Sequence, residues 1–174
     1  MSWLTKLLGT EGTAAAGTDG DTQTVRRIAA ELDRLPPATA KYLAGFAYVL
    51  ARVANADLSI DEAETREMEK IISSLASLSE SEAVLAVQIA KTQARMLGGT
   101  ENYVVTREFR SISTPEQRAE LLQCLYAVAA ADGTISNIES SEIAAIGDEL
   151  GFTRAQCNAL RSAYRDKLAE FQSR

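Results

Sequence analysis

Residues 129–146, AAADGTISNIESSEIAAI, contain the acidic turn around which the predicted fold is organised. An apolar helical segment runs into Asp132, and the spacing of apolar residues predicts an amphipathic helix from Ser136 onward. Ser136 and Glu139 have the spacing of a capping box, in which a hydroxyl and a carboxylate satisfy free N–H groups at a helix start. The stretch therefore predicts a helix–turn–helix unit with acidic residues at its turn.

Asp132 and Glu139, with the glycine and isoleucine between them, also have the spacing of the closing part of an EF-hand calcium loop. An EF-hand takes its first ligands from side-chain oxygens four and two residues before that aspartate. Those positions are Val128 and Ala130, which carry no side-chain oxygen. A complete EF-hand is therefore excluded, and the two acids remain to be explained as metal ligands or as helix caps.

The same pattern occurs 75 residues earlier (132 − 57), in ANADLSIDEAETREMEKI at residues 54–71. The offset aligns like residues along both segments: Leu50 with Leu125, Val53 with Val128, Ile60 with Ile135, Glu64 with Glu139, Ile71 with Ile146 and Leu75 with Leu150. An internal duplication at a fixed offset predicts two copies of one supersecondary unit. We place the two repeats at about residues 42–90 and 117–165.

The fold class predicted for the 174-residue chain is all-α, a single helical domain of seven to eight helices built from two helix-turn-helix repeats. Residues 1–8, MSWLTKLL, form a short amphipathic segment, residues 9–23 form a flexible linker by composition, and residues 24–174 form the helical domain. The predicted helices cover 24–35, 37–56, 60–77, 80–97, 101–111, 115–131, 136–150 and 154–171. Capping boxes are expected at four starts: Ser59 with Glu62, Ser79 with Glu82, Ser136 with Glu139 and Thr153 with Gln156. A further helix is expected to start at Thr114-Pro115, with Gln117 at its third position.

Composition excludes several kinds of function. Histidine is absent, which removes Ser-His-Asp and Cys-His catalysis and every histidine-containing zinc site. The two cysteines, Cys124 and Cys157, lie among apolar residues and are expected to be buried small hydrophobes. Residues 57–69 and 132–149 each carry a net charge of −5 within a chain of net −6, so a nucleic-acid backbone would be repelled. We expect no enzyme activity and no organic cofactor.

Glu64 and Glu139 each interrupt a helical stripe of apolar residues, such as Ile60 and Met68 around Glu64. A buried carboxylate must be hydrogen-bonded, paired or metal-bound. One hypothesis is a Ca²⁺ or Mg²⁺ ion bound by oxygens of the turn acids, with further acids as an outer face. Its ligands are Asp57, Asp61, Glu64, Asp132 and Glu139, and the outer face is Glu62, Glu67 and Glu142. The alternative is that these carboxylates only cap helix N-termini.

The two acidic segments, and the Leu-Gly-Phe at residues 150–152 that closes the second, resemble the paired motifs of the tellurite-resistance TerB family, a domain also found in DjlA co-chaperones. The opening MSWLTKLLG is similar to the amphipathic start of TerB proteins. The resemblance covers about residues 40–165 and implies an all-helical domain with an acidic, cation-binding surface. Carried over by position, the family's acids fall on Asp57, Asp61, Glu62, Glu64, Asp132 and Glu139. Two departures are Leu58, where the second motif has Gly133, and Ser136 with Asn137, where relatives often have acids.

The resemblance implies a non-enzymatic, divalent-cation-responsive binding module of a tellurite and metal-stress response. The alternative is a metal-independent interaction domain whose acidic face docks a basic partner. The expected partners are other stress-response proteins or a membrane-associated complex, and residues 1–8 are a candidate membrane-surface contact. The expected location is the cytoplasm, including the inner face of the membrane, because no apolar run of about 18 residues is present.

Overall fold

The computed structural model describes residues 19–54, 61–96 and 102–172. Within these ranges the chain forms nine α-helices and no strand, which confirms the predicted all-α class. The helices are α1 Asp19–Asp33, α2 Pro37–Ala54, α3 Glu62–Leu75, α4 Glu80–Met96, α5 Asn102–Ile112, α6 Pro115–Ala129, α7 Asn137–Leu150, α8 Arg154–Ser162 and α9 Ala169–Gln172, with a 3₁₀ turn at Arg165–Lys167 before α9. None of the described helices combines the length and the apolar character needed to cross a bilayer.

Helix α2 is the centre of the domain. Its sequence is almost entirely apolar from Leu43 onward, and a helix that is apolar on all sides is stable only when neighbours surround it. Helices α4, α5, α6 and α7 all pack against it, and Leu43, Phe46, Val49 and Leu50 have no exposed surface. Burying each such side chain stabilises the fold by roughly 1.5–3 kcal/mol.

Small residues let the surrounding helices approach α2 closely. A Cβ atom added at Gly45 would lie 2.8 Å from Cδ2 of Phe109, so glycine makes room for the α5 ring at this crossing. The ring of Tyr42 lies 5.5 Å from that of Phe109, centroid to centroid. The aromatic contact therefore holds α5, the helix between the two acidic segments, against the first half of the domain.

Helices α3 and α7 correspond through the offset of 75. Adding 75 to the ends of α3, Glu62 and Leu75, gives 137 and 150, which are the ends of α7. Both helices have 14 residues and an extended residue as N-cap, Asp61 for α3 and Ser136 for α7. They end differently, because Gly151 (φ 88°) closes α7 in the left-handed region that favours glycine, while the backbone at Ala76 is extended.

The structure differs from the predicted elements at both ends. Helix α1 begins at Asp19, so residues 19–23 of the expected linker are helical. The expected helix over 154–171 ends at Ser162; a 3₁₀ turn follows at Arg165–Lys167, and Leu168 then pairs with Ile135. Residues 1–18 lie outside the described part of the chain.

Candidate functional site

The first acidic turn is built as a capping box at the start of α3. The backbone N–H groups of Ala63 and Glu64 donate to Asp61 Oδ1 at 2.7 and 2.8 Å, and the Asp61 N–H donates to Glu64 Oε2 at 2.8 Å. Each carboxylate thus satisfies N–H groups that have no intrahelical partner, which is the capping interpretation of these two acids. Asp57, the other predicted ligand of this motif, lies outside the described residues.

Two expectations for this turn are wrong. Glu64 is exposed and does not lie in the core, because the apolar stripe of α3 begins one turn later, at Met68 and Ile72. The helix starts at Glu62, which makes Asp61 the N-cap, so Glu62 cannot be the N3 partner of Ser59. Asp61 takes the cap position because its short carboxylate reaches both N–H groups of the first turn.

The second acidic turn repeats the box with a serine. Glu139 Oε2 accepts the Ser136 N–H at 2.8 Å, and the Glu139 N–H donates to Ser136 Oγ at 3.2 Å. Asp132 Oδ1 accepts the Thr134 N–H at 3.0 Å, which closes the turn, and Gly133 has a φ of 99° that a side chain would strain. One oxygen of each acid is therefore used to shape the backbone.

The C-terminal segment, residues 165–172, lies against this second turn. The Ile135 N–H donates to the Lys167 carbonyl at 2.7 Å, and the Ala169 N–H donates back to the Ile135 carbonyl at 2.9 Å. Gln172 accepts from Thr134 Oγ1 at 2.7 Å and donates to the Gly133 carbonyl at 2.9 Å. These bonds fix the turn, and they use two of its carbonyl oxygens, those of Gly133 and Ile135, as hydrogen-bond acceptors.

A cluster around Arg52 joins the two halves of the domain. Its guanidinium donates to Glu142 Oε1 at 2.7 Å, to Glu149 Oε2 at 2.6 Å and to Thr106 Oγ1 at 2.7 Å. The Arg52 side chain is only 6% exposed. Burial by itself would lower the pKa of Arg52, but the hydrogen bonds and charges of Glu149 and Glu142 outweigh it and raise that pKa. The arginine is therefore permanently charged and anchors α7 and α5 to α2.

The contact with Arg52 contradicts the prediction that Glu142 belongs to an outer acidic face. Glu142 instead points at α2 and is 34% exposed, because a buried guanidinium needs carboxylates around it. Arg52 can be singled out from the sequence, because it is the one charged residue between Leu43 and Ala54 on an otherwise apolar helix. Such a charge must be paired across the core, but the sequence does not say with which acids.

The remaining predicted acids are found on the surface. Glu62 and Glu67 are exposed on α3, where they pair with Arg66 at 3.4 Å and with Lys70 at 3.7 Å. Among the residues that the structure describes, no group of three or more His, Cys, Asp or Glu side chains is placed to hold a metal ion. The acids of each described turn thus offer a few free oxygens and not a complete coordination shell.

Both cysteines are buried, as predicted. Burial raises the pKa of the Cys124 thiol to about 12, and burial also raises the pKa of Cys157. The thiolate is the reactive form of cysteine, so neither side chain is activated as a nucleophile. Cys157 instead packs on α7, where a Cβ atom added at Gly147 would lie 2.6 Å from its Sγ.

Comparison with protein families identifies a match over most of the chain. The family model described as Tellurite resistance protein TerB matches residues 43–162, a range that includes both acidic turns and the Arg52 cluster. No curated protein and no solved structure matches the chain.

Proposed function

Because the chain belongs to the TerB family of tellurite resistance proteins, we propose that it is a non-enzymatic binding module of a tellurite and metal-stress response. Its docking site is the α3 acidic surface, which we define as Asp61, Glu62, Glu64, Glu67 and Glu69. Residues 61–70 carry these five acids and the two bases Arg66 and Lys70, a net charge of −3 (−5 + 2). Such a surface attracts a basic partner.

The observation that carries this proposal is that acids at equivalent positions of α3 and α7 make different contacts. Glu142 on α7 is bonded to the buried Arg52, so the fold depends on it. Its counterpart by the offset of 75 is Glu67, whose side chain is 53% exposed and pairs only with Lys70 among the described residues. The α3 acids beyond the cap are not needed by the core, which leaves them available to a partner.

The partners that suit this surface are basic segments of other stress-response proteins or of a membrane-associated complex. The same proposal places the protein in the cytoplasm and, through residues 1–8, at the inner face of the membrane. Co-sedimentation with anionic liposomes tests the membrane contact, with full-length protein compared with a version that starts at residue 19. Equal partition of the two would reject a contact through the N-terminal segment.

The docking proposal is tested with an arginine-rich peptide and two double variants. Glu62→Gln with Glu67→Gln removes two charges from the α3 acidic surface, while Glu108→Gln with Asp148→Asn removes two exposed acids elsewhere. We expect the first variant to bind the peptide more weakly than wild type and the second to bind nearly as well, with or without a chelator. Equal weakening by both variants would show attraction to net charge and would reject a site on α3.

A second candidate is the cation-responsive module. It is favoured by the second oxygens of Asp132 and Glu139, which make no hydrogen bond among the contacts described, and by the acids Asp61 and Glu64 at the start of α3. Ca²⁺ or Mg²⁺ would suit these hard oxygen ligands. We rank it second because the described carboxylates already satisfy backbone N–H groups.

A melting series in calcium and magnesium separates the two candidates. Cation binding at about 100 times its dissociation constant would add roughly 2.7 kcal/mol to the stability of the wild type. The first motif has more acids, so this candidate predicts that Glu64→Gln removes more of the cation effect than Glu139→Gln. A wild-type melting temperature that is insensitive to both ions rejects the cation-responsive module and leaves the docking proposal standing.

A further inference from the structure

A polar groove of about 420 Å³ lies between α1, α3 and α4, apart from the turns described above. Its lining includes three cationic side chains, Arg27, Arg66 and Lys91, and two acids, Glu62 and Glu69. The groove therefore has a net charge of +1 (+3 − 2), although the whole chain has a net charge of −6. A local excess of positive charge on an acidic protein marks this groove as a place where anions are favoured.

Two of these cations have neutral partners. Lys91 Nζ donates to Thr65 Oγ1 at 2.8 Å, and Arg27 Nη2 donates to Gln88 Oε1 at 3.2 Å. Neither forms an ion pair among the residues that the structure describes, whereas Arg66 is paired with Glu62 at 3.4 Å. Lys91 is half-buried, and a cation that has lost part of its hydration gains more from an anion than an exposed one does.

The two cations face the same opening with donors to spare. Gln88 and Lys91 are three residues apart on α4 and so lie on one face of that helix, and Arg27 reaches this face from α1. An ammonium has three N–H donors and a guanidinium has five, and each uses one in the bonds described. The oxygens of an oxyanion can accept from both side chains at once.

Glu69 limits what the groove can bind. It also lines the groove and has no cationic partner among the described residues, so it repels an approaching anion. A long polyanion would meet Glu69 and the α3 acids beyond it, while a small anion can contact α1 and α4 alone. The arrangement thus selects for a compact ligand of low charge.

We propose that the groove between α1, α3 and α4 binds a small free oxyanion between Arg27 and Lys91. The groove shares Glu62 and Glu69 with the α3 acidic surface, but its ligand is held by Arg27 on α1 and Lys91 on α4, so its failure would leave the docking proposal unchanged. Inorganic phosphate and tellurite are the two probes, since both present several acceptor oxygens and they differ in shape. Comparison of the two dissociation constants shows which of the two oxyanions the groove prefers.

The test is a titration followed by NMR and calorimetry on the full chain. We expect saturable binding of at least one probe, with shifts at the amides of Gln88 and Lys91. Lys91→Gln and Arg27→Gln should each weaken binding about tenfold, equivalent to about 1.4 kcal/mol. Glu69→Gln should tighten binding about threefold, because it removes a like charge.

Arg154→Gln is the matched control, since Arg154 is an exposed cation on α8 and does not line the groove. We expect it to leave the affinity nearly unchanged. Equal weakening by Arg154→Gln and Lys91→Gln would overturn the proposal, because it would show attraction to the surface at large. Absence of saturation by both probes at millimolar concentration would overturn it as well. Arg27 is exposed, so Arg27→Gln keeps the test valid even if Lys91→Gln unfolds the protein.

Discussion

Asp61 with Glu64 at the start of α3, and Ser136 with Glu139 at the start of α7, form the same capping box, in which each glutamate accepts a backbone N–H at 2.8 Å. Beyond the box the two helices differ. Two acids of α7 point inward and bind Arg52, whereas on α3 Glu62 and Glu67 are exposed and Glu69 is half-buried at the edge of the groove. The comparison shows that the hydrogen bonds within the first helical turn are kept in both copies, while buried ion pairs across the core are made, in the described part of the chain, by the α7 copy only.

The largest difference in stability between changes in the two copies is expected at Arg52. Arg52→Met leaves the Glu142 and Glu149 carboxylates without their cation, and removing one partner of a buried pair costs about 3–5 kcal/mol. We expect the lower end of that range because Glu142 is 34% exposed and water can reach it. Urea denaturation measures the loss. Arg66→Met on α3 is the control and should cost at most about 1 kcal/mol, since its pair with Glu62 is exposed.

The next largest effect is expected where the C-terminal segment packs against the second acidic turn. Among the described residues, this segment contacts the second turn and not the first. Leu168 is 2% exposed in the core beside Ile135, and its replacement by alanine should cost about 2–4 kcal/mol. Hydrogen exchange should show faster exchange at the Ile135 amide, whose acceptor is the Lys167 carbonyl. Unchanged exchange at Ile135 would show that the turn is held without the segment.

Loss of a capping box should destabilise both copies by a similar amount, because the box has the same hydrogen bonds in each. Asp61→Ala and Ser136→Ala each remove the side-chain acceptor of a helix start, and each should cost about 1 kcal/mol. The two losses, measured from thermal melts, should agree within about 0.5 kcal/mol. A much larger loss at Ser136 would mean that its cap also supports the contact between the turn and the C-terminal segment.

The smallest expected effect is at the surface acid of α3. Glu67→Gln should change stability by less than about 0.5 kcal/mol, since Glu67 contacts only the exposed Lys70 in the described structure. The equivalent Glu142→Gln should cost about 1 kcal/mol or more, because it weakens a charged hydrogen bond to Arg52. Equal stability losses from the two changes would contradict the docking proposal, which assumes that the fold depends on Glu142 and not on Glu67.

Local sequence signals were sufficient for most of the fold. Three of the four expected capping boxes form, at Ser79, Ser136 and Thr153, and the expected helix start at Thr114 also forms one, because each needs only residues three positions apart. The fourth is displaced to Asp61 and Glu64, where an aspartate two residues beyond Ser59 takes the N-cap position. Helical periodicity gave the fold class for the same reason, since it is a property of neighbouring residues.

The candidate site was less predictable because its main contacts join distant parts of the chain. Arg52 and Glu142 are separated by 90 residues, and no spacing rule relates them. Glu64 was expected in the core from its place in an apolar pattern, but it lies at the helix start, where the side chain turns back to the N-cap. The spacing of apolar residues predicts which face of a helix is buried, but it does not predict at which residue along the helix that burial begins.

The Arg52 cluster also bears on how the chain folds. Its bonds close loops of 90 and 97 residues, so they form only after α2 and α7 have met, and contacts of such long range slow folding. Until then the guanidinium sits on an apolar helix without its carboxylates. The first half of the protein expressed alone would retain this uncompensated cation, so the two copies are expected to fold as one cooperative unit.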